Sequence, residues 1–181
     1  DSASTLPTVN DLNLPAGYSS EINFNLQPWL QSLNDSMQQG VVLLIDYGFS
    51  RQEYYHPQRS TGTLNCHYRH RHHDDPFILL GLQDITAHVD FTAVAEAGHT
   101  AGFQIEGFNN QANFLLGCGL EALLQQAMST AADNEKIKYS QQMQRLMMPH
   151  EMGELFKVIA LGKKIDEPLI GFTSGDKSHF L

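Results

Sequence analysis

The stretch VVLLIDYGFSRQEYYHPQRSTGTL, residues 41–64, decides the fold. It opens with a short, continuous apolar run that is β-branched at its start, which predicts a strand covered on both faces, as in a parallel sheet. The run ends at Asp46, Tyr47 and Gly48, and a polar segment with two tyrosines, a proline and two arginines follows. Ligands of open α/β sheets bind beyond the carboxyl ends of the strands. Asp46, Tyr47 and Gly48 are therefore candidate site residues, with Gly48 permitting close backbone approach.

The patterns on either side of this strand alternate between helix and strand. Apolar residues at helical spacing precede it, and Gly40 is expected to end that helix. Six further elements are predicted: a strand over 21–25, a helix beginning after Asp90, a strand over 103–108, two helices within 113–148 and a strand over 154–164. We expect an α/β fold, with a partial Rossmann-like sheet, a long loop insertion and a helical pair.

A chain of 181 residues suits a single domain over 1–181. Its start, 1–20, is polar and is expected to be a flexible loop. Residues 49–86 show no convincing periodicity and are too long for an ordinary connection, so we expect an insertion or a lid-like loop. Residues 113–148 form the expected helical subdomain. The first residue is Asp1 and not Met, which suggests part of a larger chain.

Composition and charge narrow the classes of partner. Lys plus Arg number 11 and Asp plus Glu 20, a formal net charge of -9, which argues against nucleic acid as a partner because phosphate binding needs clustered cations. No apolar run approaches the ~20 residues of a membrane helix, so no membrane association is expected. The free-thiol pattern of Cys66 and Cys118 suggests a reducing compartment. The lack of a recognisable targeting segment favours the cytoplasm of a bacterium, and a mitochondrial location is expected if the source is eukaryotic.

Candidate substrate-pocket residues lie in the segments that follow the strand. Tyr55 and Arg59 could close over a substrate or dock a partner, or could simply pin the loop to the core. In DITAHVD, 84–90, the polar residues alternate and would share one face of an extended segment; they are Asp84, Thr86, His88 and Asp90. Paired carboxylates there would suit a guanidinium, although Asp90 could equally cap the next helix.

Other polar groups give weaker signals. Gln111 could line the same cleft, at the change from strand to helix. The histidines and acids within 66–75 lack helical metal-ligand spacing and are mixed with arginines, so no metal site is expected. A less favoured alternative is an iron-dependent oxygenase, in which His88 and Asp90 would bind iron together with His150.

Six motifs together resemble the MidA-type family of S-adenosylmethionine-dependent methyltransferases over about residues 25–175: LLIDYG, EYYHPQRSTGTL, YRHRHHDDP, GLQDITAHVDFTAVAEA, NNQANFLL and MGELFKVIAL. The resemblance implies a class I methyltransferase sheet, S-adenosylmethionine as the cofactor and a protein substrate, with arginine as a possible acceptor. Eukaryotic members are mitochondrial and serve complex I assembly.

The Gly-rich turn that binds the cofactor in this family is absent here, so the resemblance implies only the C-terminal half of such an enzyme, inactive alone. The apolar edge of 41–46 would then be exposed. It is expected to pair with a second copy in a homodimer, to be covered by the N-terminal segment, or to belong to a larger chain. A non-catalytic protein-docking module is the alternative function.

Overall fold

The computed structural model describes residues 12–69, 71–173 and 175–181. Its helices are α1 (Leu26–Ser36), α2 (Arg51–Tyr54), α3 (Phe91–Thr100), α4 (Gln111–Gly117), α5 (Leu120–Thr130) and α6 (Asp133–Met147). Its strands are β1 (Gly40–Phe49), β2 (Asn65–Tyr68), β3 (Arg71–His73), β4 (Asp84–Thr86), β5 (Val89–Asp90), β6 (Gln104–Asn110) and β7 (Phe156–Lys163). Among the described residues, no helix is long and apolar enough to cross a membrane.

The main sheet has the strand order β5-β1-β7-β6. β7 runs antiparallel to both β1 and β6, so β1 and β6 share one direction and end at the same edge of the sheet. β5 joins parallel to β1 at two positions, where Gly48 is opposite Val89 and Phe49 is opposite Asp90. β3, β2 and β4 form a second, three-stranded antiparallel sheet. The expected α/β class with a partial Rossmann-like sheet is confirmed.

The core lies on one face of the main sheet, against α1 and α3. Its fully buried members include Leu30 of α1, Phe91 of α3 and Ile159 of β7. On the opposite face, Phe172 packs against Val158 and Ala160 of β7. Burial of such side chains is worth about 1.5–3 kcal/mol each, so β7 is the best-anchored strand of the sheet.

The expectation that β1 is covered on both faces is wrong for the described part of the chain. Val42 and Leu44 pack on the core, whereas Val41, Leu43 and Ile45 are 36, 43 and 47 % exposed. An apolar run does not reveal whether a second layer covers its other face.

Along 40–47 no described strand pairs with the side of β1 away from β7, and residues 1–11 lie outside the described part. The expected pairing of this edge stays a prediction.

Three local expectations also need correction. Residues 21–25 form no strand: a turn at Phe24–Asn25 leads directly into α1. The first helix ends at Ser36, and Gly40 instead begins β1. The long helix after residue 113 is divided at Gly119, whose φ of 82° lies in the left-handed region that favours glycine. In each case a short alternation or periodic run was overridden by a turn whose geometry the pattern does not show.

The two segments that were expected to be irregular, 1–20 and 49–86, differ in their content of helices and strands. In the described part of 1–20, from Leu12 onward, there is no helix or strand. Residues 49–86, in contrast, hold α2, a 3-10 turn at Pro57–Arg59 and the whole second sheet. Their strands are three or four residues long, which is too short to give a clear period of two in the sequence.

Candidate functional site

An aromatic cluster forms where β1 ends. Tyr47 and Phe49 are two residues apart on the strand, so their side chains share one face. The His88 ring, from the segment between β4 and β5, meets both edge to face, with ring centres 5.6 Å from Tyr47 and 5.0 Å from Phe49. Phe156 of β7 meets Tyr47 at 5.1 Å. We call Tyr47, Phe49, His88 and Phe156 the His88 cluster.

Arg59 stacks on this cluster. Its guanidinium carbon lies 3.8 Å from the centre of the Phe49 ring, within the range of a cation–π contact. Its Nη1 also donates a hydrogen bond to the backbone carbonyl of Glu53. The Phe49 ring therefore already accepts a guanidinium on its face.

The surroundings of His88 favour its neutral form. Burial lowers the pKa of this imidazole, and the positive charge of Arg59 lowers it further. The carboxylates of Glu21 and Asp46 act in the opposite direction and more weakly. Nδ1 is buried, and no atom in the described part of the chain forms a hydrogen bond with it. A neutral imidazole has one ring nitrogen free to accept a hydrogen bond, which makes His88 a possible acceptor for a bound ligand.

Glu21 holds the backbone that supports His88. Its carboxylate accepts hydrogen bonds from the amides of Thr63 and Leu64, each at 3.0–3.1 Å, and from the Thr63 hydroxyl at 3.1 Å. The Thr63 hydroxyl in turn accepts the His88 amide hydrogen at 3.0 Å. Gly62, directly before Thr63, has a φ of 81°, which lies in the left-handed region that favours glycine. The sequence analysis missed Glu21, because nothing local signals a contact 42 residues away.

Gly48 is buried for a packing reason. A Cβ there would lie 2.2 Å from the backbone oxygen of Val89 and 2.8 Å from the Phe91 ring. The close approach that this glycine permits is therefore the approach of β5. Asp46 lies two positions earlier on the exposed rim, where its carboxylate accepts the Tyr47 amide hydrogen at 2.8 Å.

The segment 84–90 is not one extended strand. β4 ends at Thr86 in the second sheet, and β5 begins at Val89 in the main sheet, so the four alternating polar residues do not share one face. Asp84 is exposed opposite His67 on β2. Thr86 donates its hydroxyl hydrogen to the carbonyl of Asn65. Of the four, only His88 lies in the aromatic cluster.

Asp90 caps α3 and forms an ion pair. One carboxylate oxygen accepts the Ala93 amide hydrogen at 3.1 Å, and the other lies 3.4 Å from Arg51 Nε. Arg51 also donates to both carboxylate oxygens of Glu96 at 2.6 Å. Asp90 is thus engaged in structural contacts, and no group of three metal-ligating residues occurs in the described ranges. The geometry gives no support to an iron site that uses His88, Asp90 and His150.

Tyr55 and Gln111 are packing residues. Tyr55 is 8 % exposed and contacts the ring of Tyr54 edge to face at 4.9 Å. Gln111 is 7 % exposed, and its side-chain amide donates to the carbonyl of Leu146, which ties α4 to α6. Neither side chain is directed at the His88 cluster by these contacts.

A second polar group that the sequence analysis missed lies at the same edge of the sheet. Lys157 of β7 stands between Asp46 of β1 and Asn110 of β6 in the strand register. It is 8 % exposed and binds the Glu154 carboxylate, which also accepts from Asn110. Asn110 caps α4 through the Asn113 amide. The edge where β1 and β6 end therefore combines an aromatic cluster with a buried cation.

The mixed sheet with helices packed on it defines the class of α/β folds, in which ligands commonly bind beyond the carboxyl ends of the strands. Residues 1–109 match the family model described as "putative S-adenosyl-L-methionine-dependent methyltransferase", and the chain belongs to that family.

Three similar proteins extend this comparison. The mitochondrial "protein arginine methyltransferase NDUFAF7 homolog" of Drosophila melanogaster is 30% identical over 141 residues, which cover 74% of this chain and 30% of that protein. A crystal structure of an uncharacterized protein from Burkholderia thailandensis is 44% identical in sequence and has a TM-score of 0.87. The alignment covers 93% of this chain and 45% of that chain.

A second Burkholderia thailandensis structure, titled a "likely methyl transferase", is bound to S-adenosyl-homocysteine. It is 42% identical and has a TM-score of 0.87, with 95% of this chain and 44% of that chain aligned. The chain thus spans less than half the length of each of these three relatives. The resemblance to the methyltransferase family and to its cofactor class is confirmed.

The described residues do not by themselves form a site for S-adenosylmethionine. Such sites in Rossmann-like folds use a Gly-rich turn between a strand and a helix. Here the glycine at the end of β1 is closed off by β5, whereas Gly117 ends α4 and Gly119 precedes α5, so neither follows a strand.

Proposed function

We propose that the full-length protein is an S-adenosylmethionine-dependent methyltransferase that acts on an arginine of a protein substrate, and that this chain binds the acceptor. The family membership supports the reaction class. The name of the fly relative, a protein arginine methyltransferase, supports the acceptor.

The contact between Arg59 and Phe49 carries the proposal. It demonstrates a guanidinium seated on an aromatic face at the end of β1, 3.8 Å from the ring centre. Tyr47 adds a second ring to the same cluster. The Asp46 side chain leaves β1 on the opposite face, but it lies on the exposed rim and its negative charge acts on His88. A guanidinium stacks on aromatic rings and is attracted to a nearby carboxylate, so a substrate arginine suits the cluster and the charge at its rim.

His88 has a positioning role in this proposal. Its neutral imidazole accepts a hydrogen bond, or a proton, from the acceptor nitrogen, while Tyr47 and Phe49 fix the plane of the ring. Thr63 and Glu21 hold the backbone of His88 from beneath. Asp46 and His88 are accordingly the two residues whose replacement affects the acceptor most directly.

The test uses the full-length protein, labelled S-adenosylmethionine and two peptides that differ only in Arg or Lys at the acceptor position. Methylation of the arginine peptide is expected to exceed that of the lysine peptide. Asp46→Asn and His88→Asn are each expected to lower kcat/KM about tenfold or more, equivalent to ~1.4 kcal/mol. Binding of S-adenosylmethionine by calorimetry is expected to be unchanged in both variants. Asp166→Asn, at an exposed position in the segment after β7, is the matched control.

Several results would count against the proposal. Preferential methylation of the lysine peptide would remove the arginine acceptor. If both variants kept full methylation but lost binding to a protein partner, the docking-module alternative would be correct. The 181-residue chain alone is expected to bind S-adenosylmethionine weakly or not at all, and tight binding would overturn the assignment of this chain to the acceptor side.

The compartment is part of the same proposal. We place the protein in a reducing compartment, the bacterial cytoplasm or a mitochondrion, since Cys66 and Cys118 are both free. Fractionation of the native cells with detection of the full-length protein tests this placement, and recovery outside these compartments would contradict it.

A further inference from the structure

The side chain of Arg59 is held by weaker contacts than the other arginine between β1 and β2. Arg51 donates to both carboxylate oxygens of Glu96, and its Nε lies 3.4 Å from the Asp90 carboxylate. Arg59 forms no ion pair in the described part of the chain. Its guanidinium contacts one backbone carbonyl and the face of Phe49. These contacts are weaker than a forked ion pair, so the Arg59 side chain is the more easily displaced of the two.

The two carboxylates whose charges act on the His88 cluster, Glu21 and Asp46, have other partners. Glu21 accepts hydrogen bonds from the amide and the hydroxyl of Thr63. Asp46 accepts the amide hydrogen of Tyr47 at 2.8 Å. Neither carboxylate forms an ion pair with Arg59. The Arg59 guanidinium can therefore leave its position without breaking a buried ion pair, which is the step that would be most unfavourable.

The backbone around Arg59 is fixed although its side chain is not. The Tyr18 hydroxyl donates to the His56 carbonyl at 3.3 Å, and the Ser19 amide donates to the Ser60 carbonyl at 2.9 Å. These two bonds anchor the chain on both sides of the 3-10 turn. Movement at this position is therefore a rotation of the partly exposed side chain, which is a fast motion in proteins.

One face of Phe49 has room for one guanidinium. The Arg59 guanidinium carbon lies 3.8 Å from the ring centre, which is contact distance for a stacked cation. The His88 ring also flanks Phe49, with ring centres 5.0 Å apart and an angle of 88° between the planes. In the proposed function the acceptor arginine uses the same face of Phe49. Arg59 and the acceptor arginine therefore compete for one position.

We propose that Arg59 is a built-in competitor of the substrate: its guanidinium covers the Phe49 face in the free protein and swings off the ring when the acceptor arginine binds. This inference rests on the proposed function and adds a regulatory contact to the same site. Every acceptor must displace Arg59, so the contact weakens binding and leaves the methyl-transfer step unchanged. If the displaced arrangement is populated at ~10% in the free protein, the apparent Kd of the acceptor rises about tenfold.

Side-chain NMR of the full-length protein tests the displacement directly. The protein carries isotope-labelled arginine and is saturated with S-adenosyl-homocysteine, so no turnover occurs. A group stacked on an aromatic ring has a shifted resonance. The Arg59 Nε–H signal is therefore expected to be shifted in the free protein and to move to the position of an exposed arginine when an arginine peptide binds. Arg59→Lys, which lacks this group, identifies the signal. A signal that stays shifted while the peptide binds overturns the proposal.

Calorimetry measures the affinity gained when the competitor is removed. Arg59→Ala is expected to bind the arginine peptide about tenfold more tightly than the wild type, and its KM should fall by the same factor with kcat unchanged. The comparison is made at about pH 8, above the ordinary imidazole pKa of ~6.5, so that His88 is neutral in both proteins. Unchanged affinity in Arg59→Ala overturns the proposal.

Arg69→Ala is the matched control for this measurement. The Arg69 guanidinium also lies over an aromatic ring, 5.4 Å from the centre of Tyr68, but on the exposed β2–β3 turn. Its removal takes away the same charge and a similar contact outside the His88 cluster. The affinity of Arg69→Ala for the arginine peptide is therefore expected to equal that of the wild type, and an equal gain in both variants would overturn the proposal.

Two further measurements separate occupancy of the ring from simple charge repulsion. Guanidinium chloride, far below the concentrations that unfold proteins, is expected to compete with the peptide in Arg59→Ala and to have little effect on the wild type, with sodium chloride as the reference salt. Salt screens repulsion between exposed charges, whereas a stacked side chain still blocks the ring. An affinity gain in Arg59→Ala that disappears at high ionic strength would therefore overturn the proposal.

Failure of the proposed function has a different outcome. In that case neither the wild type nor Arg59→Ala methylates an arginine peptide, and this inference fails with it. Methylation with the same KM in both proteins would overturn the competitor role of Arg59 alone and leave the arginine acceptor in place.

Discussion

The guanidinium of Arg59 lies over the ring of Phe49, 3.8 Å from its centre, and its charge acts on His88, which meets the same ring from the edge. A residue from a 3-10 turn and a residue from an inter-strand segment are thus coupled through one aromatic side chain.

Replacement of Arg59 by Gln is expected to raise the pKa of His88. Burial lowers this pKa most, and the positive charge of the Arg59 guanidinium lowers it further. Removal of that charge therefore stabilises the protonated imidazole relative to the neutral one. An NMR titration of the His88 ring in both proteins measures the change. Arg69→Gln, on the exposed β2–β3 turn, removes the same charge elsewhere and should leave the titration unchanged. A fall in the pKa of His88 in Arg59→Gln would contradict the electrostatic coupling.

The contribution of His88 to the free energy of unfolding is expected to decrease as the pH falls. Its pKa is lowered on folding, so the unfolded chain binds more protons than the folded chain near the unfolded pKa of about 6.5. The free energy of unfolding is therefore expected to fall as the pH drops below ~6.5. Urea denaturation at pH 7.5 and 5.5 should show a larger loss for the wild type than for His88→Gln. Equal losses in both proteins would show that His88 titrates normally in the folded state.

Gly48→Ala is expected to destabilise the protein by about 2–4 kcal/mol, because overpacking of this kind forces the backbone apart. The new Cβ would lie 2.2 Å from the Val89 oxygen, so β5 must separate from β1. Thermal or urea unfolding measures the effect. Gly81→Ala is the matched control: it has open space around a φ of 75°, and its cost should be only about 1 kcal/mol. Equal costs at the two positions would refute the packing role of Gly48.

Glu21→Ala is expected to loosen the loop beneath His88. The Thr63 and Leu64 amides lose their carboxylate acceptor, and a lost hydrogen bond to a charged group costs about 1.5–3 kcal/mol. Hydrogen exchange of these two amides should accelerate, and the His88 amide should follow because Thr63 holds it. Glu53→Ala, at an exposed position of α2, serves as the comparison. Unchanged exchange at Thr63 would remove Glu21 from this account.

The order of the main elements could be predicted from the sequence because it depends on local patterns. β1, α3, β6 and β7 were expected close to where they lie, and the Asp90 cap of α3 was among the expected alternatives. The strand at 21–25 failed because a five-residue alternation also fits a turn. The second sheet was missed because its strands are too short to give a period.

The site was only partly predictable. Asp46, Tyr47, Arg59 and His88 were among the candidate pocket residues, and all four lie around the end of β1; their role in a pocket stays a prediction. Asp84 and Thr86 were expected beside them on one face, but the chain leaves one sheet after Thr86 and enters the other at Val89. Alternation in sequence gives a shared face only while the strand is continuous.

The sequence by itself determined that this chain is an α/β member of a methyltransferase family, since hydrophobic periods and short motifs are local and survive without coordinates. Only the tertiary structure decided which polar residues meet. Glu21 reaches Thr63 across 42 positions, and His88 meets Phe49 from another strand connection. Such contacts depend on strand pairing and loop packing over long separations, which no local pattern encodes.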